Sequence, residues 1–461
     1  MAAAAFRVLN PANGELLAEF PETTPAQLEE AVVSARSAFE LWGATTAEGP
    51  GIQRRSVVLQ RASELLLERK DELALLGTEE IGKLLSESVA EVELCAEIFA
   101  YYAENGPAFL ADESLEFPGA VLQRRPLGPI LGIMPWNYPY YQLVRFIAPN
   151  LMLGNTLLVK PAPACPRSAL ALEQLLLDAG LPTGAYQTVL VNVEQTAVLL
   201  ADPRVRGVSL TGGDRAGQAV GALAGAHLKK HVLELGGSDA FIVLDTADLD
   251  FVVKLAAAAR MENAGQACNS PKRFIVATAL YEDFVRALDA KLAEYVPGDP
   301  LNPGTTLAPM SSTAAAKSLI AQVNAAVASG ATLHRGGTMA SGRPGTAFVT
   351  PALLTGVRPG TRAYNEELFG PVAVVYRAED EDDAVRLAND SPYGLGATVF
   401  TGDAAAAARM AERLEVGMVS VNRLAPSSAA LPFGGVKNSG VGRELGPLGM
   451  DEFANRKLVV R

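Results

Sequence analysis

The stretch GVSLTGGDRAGQAVGALAG, residues 207–225, changes period halfway along. A short apolar run gives way, at a glycine pair, to an alanine- and glycine-rich helical segment. Strand, glycine turn and helix are the parts of a parallel sheet covered by helices. Such a turn also exposes backbone N–H groups and a positive helix end, which suit a phosphate. The spacing Gly212-x4-Gly217 is not GxGxxG. A tight turn that simply needs glycine explains it equally well.

The same alternation spreads outward. Upstream lie ILGIM (130–134), TLLVK (156–160) and TVLV (188–191); downstream lie VLEL (232–235) and FIVL (241–244). A second series runs through FIVAT (274–278), VAVVY (372–376), ATVFT (397–401) and GMVSV (417–421). Two doubly wound α/β domains follow, with a boundary near residue 237. Residues 53–77 and 84–103 carry apolar residues at helical spacing, so the first third reads as helical. Residues 114–128 read as a short hairpin and 452–461 as a terminal strand. Their edges need cover, and a partner subunit is the expected cover.

The chain of 461 residues is 49% hydrophobic and 20% charged, with net charge −12. That balance argues against a nucleic-acid surface, which is basic. No apolar run approaches a membrane span. The opening residues lack a basic run followed by a long apolar one, so no signal peptide is expected. Cys95, Cys165 and Cys268 are scattered and odd in number, as in a reduced, cytoplasmic protein. His227, His231 and His334 form no metal-ligand spacing, so no metal is inferred.

Several polar residues interrupt apolar surroundings. Cys268 follows the flexible, amide-bearing run NAGQA. Glu234 lies between Leu233 and Leu235 before Gly-Gly, where a carboxylate is costly unless solvated, paired or protonated. It suits a general base or a structural hydrogen bond equally. Asn137, in PWNYP, sits in a proline-framed turn. It suits an oxyanion donor or a turn asparagine bonding its own backbone. Lys160 ends a strand, where open α/β sheets bind ligands, although on its own it reads better as a solvated surface lysine.

Taken together and in order, PWNYP, LVKPAP, LTGGDRAG, LELGGSD, NAGQACNS, EELFGPV (366–372), NDSPYGLGA and LPFGGVKNSGVGRE (431–444) resemble the aldehyde dehydrogenase superfamily over nearly the whole chain. The resemblance implies Cys268 as nucleophile toward the aldehyde carbon. It implies Asn137, with the Cys268 backbone N–H, as the oxyanion site, and Glu234 as the base that activates water against a thioester. It implies a nicotinamide cofactor held by Trp136, Lys160, Gly212, Gly213, Gly217, Leu235, Glu367 and Phe369. Pro163 stands where NAD-restricted members often carry glutamate, so NADP as well as NAD is expected. It further implies a cofactor domain (1–112 and 129–236), a catalytic domain (237–438) and an oligomerisation element (113–128 and 439–461) of a homodimer or homotetramer.

Within the superfamily, the chain is most similar to short-type bacterial succinate-semialdehyde dehydrogenases. That implies Arg145, with Ser427 and Ser428, as the site for a substrate carboxylate, and Tyr141 as tunnel lining. Glu262 stands where longer members place an arginine. A carboxylate facing the tunnel would repel a semialdehyde: either Glu262 pairs with a cation such as Arg145 or Arg260, or it points away, or the substrate is a different aldehyde. Another aliphatic or aromatic aldehyde is the alternative substrate. A coenzyme A-acylating or non-catalytic relative fits less well, because the Cys268–Glu234–Asn137 set is intact.

Overall fold

Residues 6–43, 50–340 and 346–461 are described by a computed structural model. Met1–Ala5, part of the opening on which the signal-peptide expectation rests, lie outside them. Two large sheets dominate. One has six strands in the spatial order 440–441, 230–234, 207–211, 129–133, 156–160 and 186–188. All but the first pair in parallel. The other has seven, ordered 332–335, 352–355, 372–378, 273–277, 240–243, 396–400 and 418–421. Only its edge strand Thr332–Arg335 is antiparallel.

The central strands Gly207–Thr211 and Ala240–Val243 are buried along their whole length. Helices on both faces require this, which is why those segments are continuously apolar. The first sheet reverses direction of growth beside strand Pro129–Ile133, which neighbours both 156–160 and 207–211. The crevice outside the carboxyl ends at such a point is where open sheets take ligands.

The helical segment expected over 53–77 is two helices, Pro50–Glu68 and Lys70–Ile81. The hairpin forms from Glu113–Ser114 and Ala120–Pro126. Its outer edge is covered by the chain's own terminal strand, Ala454–Val460, in antiparallel register. Cover by a partner subunit is therefore not needed at that edge. Gly440–Val441, within the segment expected to form the oligomerisation element and C-terminal tail, extends the six-stranded sheet against Leu233–Glu234. The Ser439 hydroxyl, donating to the Gly236 carbonyl (2.7 Å), pins that addition beside the strand end. Among the described residues no helix is long and apolar enough to cross a membrane.

Candidate active site

Cys268 follows a single 3-10 turn, Glu262–Gly265, at the end of helix Leu249–Met261. Asn263 and Ala264 hold φ of 48° and 53°, and Gly265 holds 72°. Left-handed backbone at non-glycine residues costs about 1–3 kcal/mol each and persists only where neighbours enforce it. Here the neighbours are buried polar groups. Arg260 donates to the Gly265 carbonyl (2.6 Å) and the Pro271 carbonyl (3.1 Å). Lys272 donates to the carbonyls of Ala267 (2.8 Å) and Cys268 (2.6 Å) and pairs with Glu367 (2.9 Å). Asn263 donates from Nδ2 to the Asn137 carbonyl (2.7 Å), and Asn137 Nδ2 donates to the Gln266 carbonyl (2.9 Å). The nucleophile candidate and the proline-framed turn are thus interlocked. One amide hydrogen of Asn137 is used in the lock, and a second remains for a ligand.

Cys268 is half-buried and lines two cavities. One, of about 250 Å³, lies at the carboxyl ends of the six-stranded sheet; Trp136, Asn137, Gly212, Gly213, Leu235, Glu367 and Phe369 line it. Gly213 caps helix Asp214–Ala226 without a side-chain bond, and no atom lies within 4 Å of where a Cβ would sit on Gly212 or Gly213. That open, uncapped helix start is a cradle for a phosphate group. Gly217 serves packing, since a Cβ there would meet Leu235 at 2.5 Å. Trp136 and Phe369 meet edge to face, with centroids 5.8 Å apart. Lys160 is half-buried at its strand end, and burial pulls its amine below the usual value. Neither Lys160 nor Pro163, which is exposed, lines this cavity.

The second cavity, of about 390 Å³, is walled by Tyr138, Tyr141, Gln142, Ser427 and Phe433, with Glu87, Glu91 and Glu262 as its charged residues. Glu262 does face it. Its partner is the Tyr138 hydroxyl, which donates at 2.6 Å, and not Arg145 or Arg260, which bond elsewhere. Glu91 is neutralised by Lys83 (2.5 Å) and accepts from the backbone N–H groups of Tyr140 and Tyr141. Ser428 lines an adjoining cavity that shares Tyr141, Ser427 and Phe433 and adds Arg443.

Two of the expected site residues lie behind the cavity walls. Arg145 does not line either cavity beside Cys268. It is fully buried behind Tyr141 and Phe433, whose ring centroids lie 5.2 and 4.4 Å from its guanidinium carbon, and it is paired with Glu444. Glu234, 2% exposed, likewise lines neither cavity. Its oxygens have no hydrogen-bond partner among the described residues, and Oε1 lies against Gly434. Burial holds its carboxyl well above the usual range, opposed by Arg145 and reinforced by Glu444. Burial also pushes the Cys268 thiol up to about 11, against the pull of Arg145 and Lys272.

Lys272 and Glu444 escape the sequence reading as site residues, although Lys272 stands only four residues beyond Cys268, and the loop-holding roles of Arg260 and Asn263 are not read from it either. A cation between a polar loop and the apolar strand RFIVA was the available signal.

Residues 1–459 match the model of the aldehyde dehydrogenase family. The chain is 52% identical, over 98% of its length and 94% of the relative's, to a succinate-semialdehyde dehydrogenase [NADP(+)] of Deinococcus radiodurans. It is 41% identical to a protein of the same name from Mycobacterium avium, covering 98% and 95% of the two chains. The crystal structure of a Streptococcus pyogenes succinic semialdehyde dehydrogenase in complex with NADP+ superposes with a TM-score of 0.96 at 39% identity, covering 99% of this chain and all of that one. With the cavity pair around Cys268, these likenesses establish that the chain belongs to the aldehyde dehydrogenase family.

Proposed function

We propose that the protein oxidises succinate semialdehyde to succinate through a thioester on Cys268, with NADP or NAD as acceptor. The observation that carries the reading is the position of Cys268, shared by a phosphate-cradling crevice and a separate cavity. The crevice fits a nicotinamide dinucleotide: Gly212 and Gly213 leave room for a pyrophosphate at an uncapped helix start, and Trp136, Phe369 and Glu367 line the approach to Cys268. Such a cofactor, when bound, supplies the hydride acceptor. Lys160 and Pro163 would face the adenosine ribose, with no carboxylate at 163 to repel a 2′-phosphate. The relatives named for NADP support that choice.

Cys268 Sγ attacks the aldehyde carbon, and the carbonyl oxygen becomes an oxyanion. The free Asn137 amide hydrogen and the Cys268 backbone N–H stabilise it. After oxidation the acyl group remains on sulfur as a thioester. Glu234 takes a proton from the water that hydrolyses it. To do so its side chain must leave the space beneath Gly434, a move that its unpartnered oxygens favour.

The succinate semialdehyde assignment rests on the relatives' names and on Arg145, whose Nη1 is buried behind the cavity wall without a hydrogen-bond partner among the described residues. A small turn of Tyr141 or Phe433 would present it to a carboxylate, with Ser427 and Ser428 beside it. The acidic lining favours the second reading, an uncharged aldehyde. Steady-state rates with NADP and NAD for succinate semialdehyde and butanal separate the two. A specificity constant (kcat/KM) at least about a hundredfold higher for succinate semialdehyde supports the first; equal values overturn it. The outer edge of strand Ala454–Val460, unpaired among the described residues, supports a homo-oligomer, which light scattering on eluting protein tests.

A further inference from the structure

The mechanism leaves Glu87 unused. It is on helix Leu85–Phe109, some 50 residues before Asn137 and 180 before Cys268 in sequence, yet it lines the cavity beside Cys268. Its Oε1 accepts the backbone N–H of Asn263 (2.9 Å). Its Oε2 is buried and has no hydrogen-bond partner among the described residues. Asn263 is the first left-handed residue of the nucleophile loop, and its side chain grips the Asn137 carbonyl. One carboxylate oxygen therefore holds the residue that sets both the loop's turn and the seat of Asn137.

We infer that Glu87 is a positioning residue for the oxyanion site: as a carboxylate it clamps Asn263 and so fixes the Asn137 amide against Cys268. A charged acceptor makes a stronger bond to an N–H than a neutral one, roughly twofold. With the second oxygen buried and without a hydrogen-bond partner among the described residues, the Asn263 N–H is the bond by which this carboxylate reaches across from its helix to the nucleophile loop. Burial raises the carboxyl to about 7, with Lys83 and the Asn263 N–H opposing and Glu262 adding to the rise. Tyr138, Tyr295 and Glu91 are the other ionisable groups facing it. The clamp therefore weakens as pH falls through that region.

The inference rests on the roles proposed for Asn137 and Cys268. The experiment compares wild type, Glu87→Ala, Glu87→Gln and Asn137→Ala in full-length protein, with kcat and KM followed from pH 6 to 9. Glu87→Ala should lower kcat by about tenfold or more with little change in KM for the aldehyde, since misplacement of a catalytic group acts on the chemical step. Glu87→Gln, which keeps an acceptor for Asn263, should recover most of that loss at pH 8 and remove one ionisation from the acid limb. The inference is overturned if Glu87→Ala leaves kcat unchanged, acts on KM alone, or is not rescued by glutamine. If Asn137→Ala leaves kcat intact, the reading of the site itself fails. If it lowers kcat while Glu87→Ala does not, only the role of Glu87 fails.

Discussion

Arg145 and Glu444 form an ion pair from which water is excluded, with 0% and 5% of their surfaces exposed. Glu444 also accepts from the Ser209 hydroxyl (3.0 Å), on a central strand of the six-stranded sheet. The pair ties helix Tyr141–Leu153 to the segment after the Gly440–Val441 strand. Breaking a buried pair leaves one uncompensated charge, which costs about 3–5 kcal/mol. Arg145→Ala should lose stability on that scale in urea, and should also raise KM for succinate semialdehyde far more than for butanal. Stability within about 0.5 kcal/mol of wild type would contradict the buried pairing.

The Cys268 thiol gives a pH dependence of known sign. Its pKa lies above that of a free thiol because burial outweighs Arg145 and Lys272. Raising a thiol's pKa depletes the reactive thiolate at neutral pH, to about a thousandth of the population at pH 8. Without cofactor, alkylation of Cys268 by iodoacetamide should climb about tenfold per pH unit through pH 10. A plateau below pH 9 would show that the resting thiol is already activated.

Glu262 faces the cavity and accepts from the Tyr138 hydroxyl. It is exposed, so solvent screens it, and its repulsion of an anion is worth about 1 kcal/mol or less. Glu262→Gln should lower KM for succinate semialdehyde by about fivefold at most and leave butanal unchanged. An equal effect on both aldehydes would mean that Glu262 acts through Tyr138 rather than through charge.

Two glycines of one turn should behave oppositely. Gly217→Ala places a methyl 2.5 Å from Leu235, an overpacking that costs about 1–3 kcal/mol. Gly212→Ala meets nothing within 4 Å. It should leave stability within about 0.5 kcal/mol and raise KM for NADP instead. Thermal melts alongside cofactor titration distinguish them; a destabilised Gly212→Ala would contradict the open cradle.

The two sheets are legible because their strands are short, apolar and separated by helical segments, as at 156–160 and 207–211. Thr332–Arg335 escapes notice because an edge strand is only half-buried and its residues read as loop. Among site residues, Cys268, Asn137, Trp136 and the glycine pair lie in turns with local signatures. Glu87, Arg260 and Lys272 do not, because their roles arise from contacts between separate elements. Arg145 and Glu234 are found from motif position, but their burial depends on Phe433 and Gly434, some 200–300 residues away. Spacing along a chain cannot show which wall covers a side chain.

The central claim is that oxidation passes through an acyl group on Cys268. Intact-protein mass spectrometry of samples acid-quenched during turnover with NADP and succinate semialdehyde tests it most directly. The account predicts added mass equal to one succinyl group, mapped to the peptide containing Cys268, and neither adduct nor turnover in Cys268→Ala. Continued turnover by Cys268→Ala, or an adduct on another residue, would contradict it.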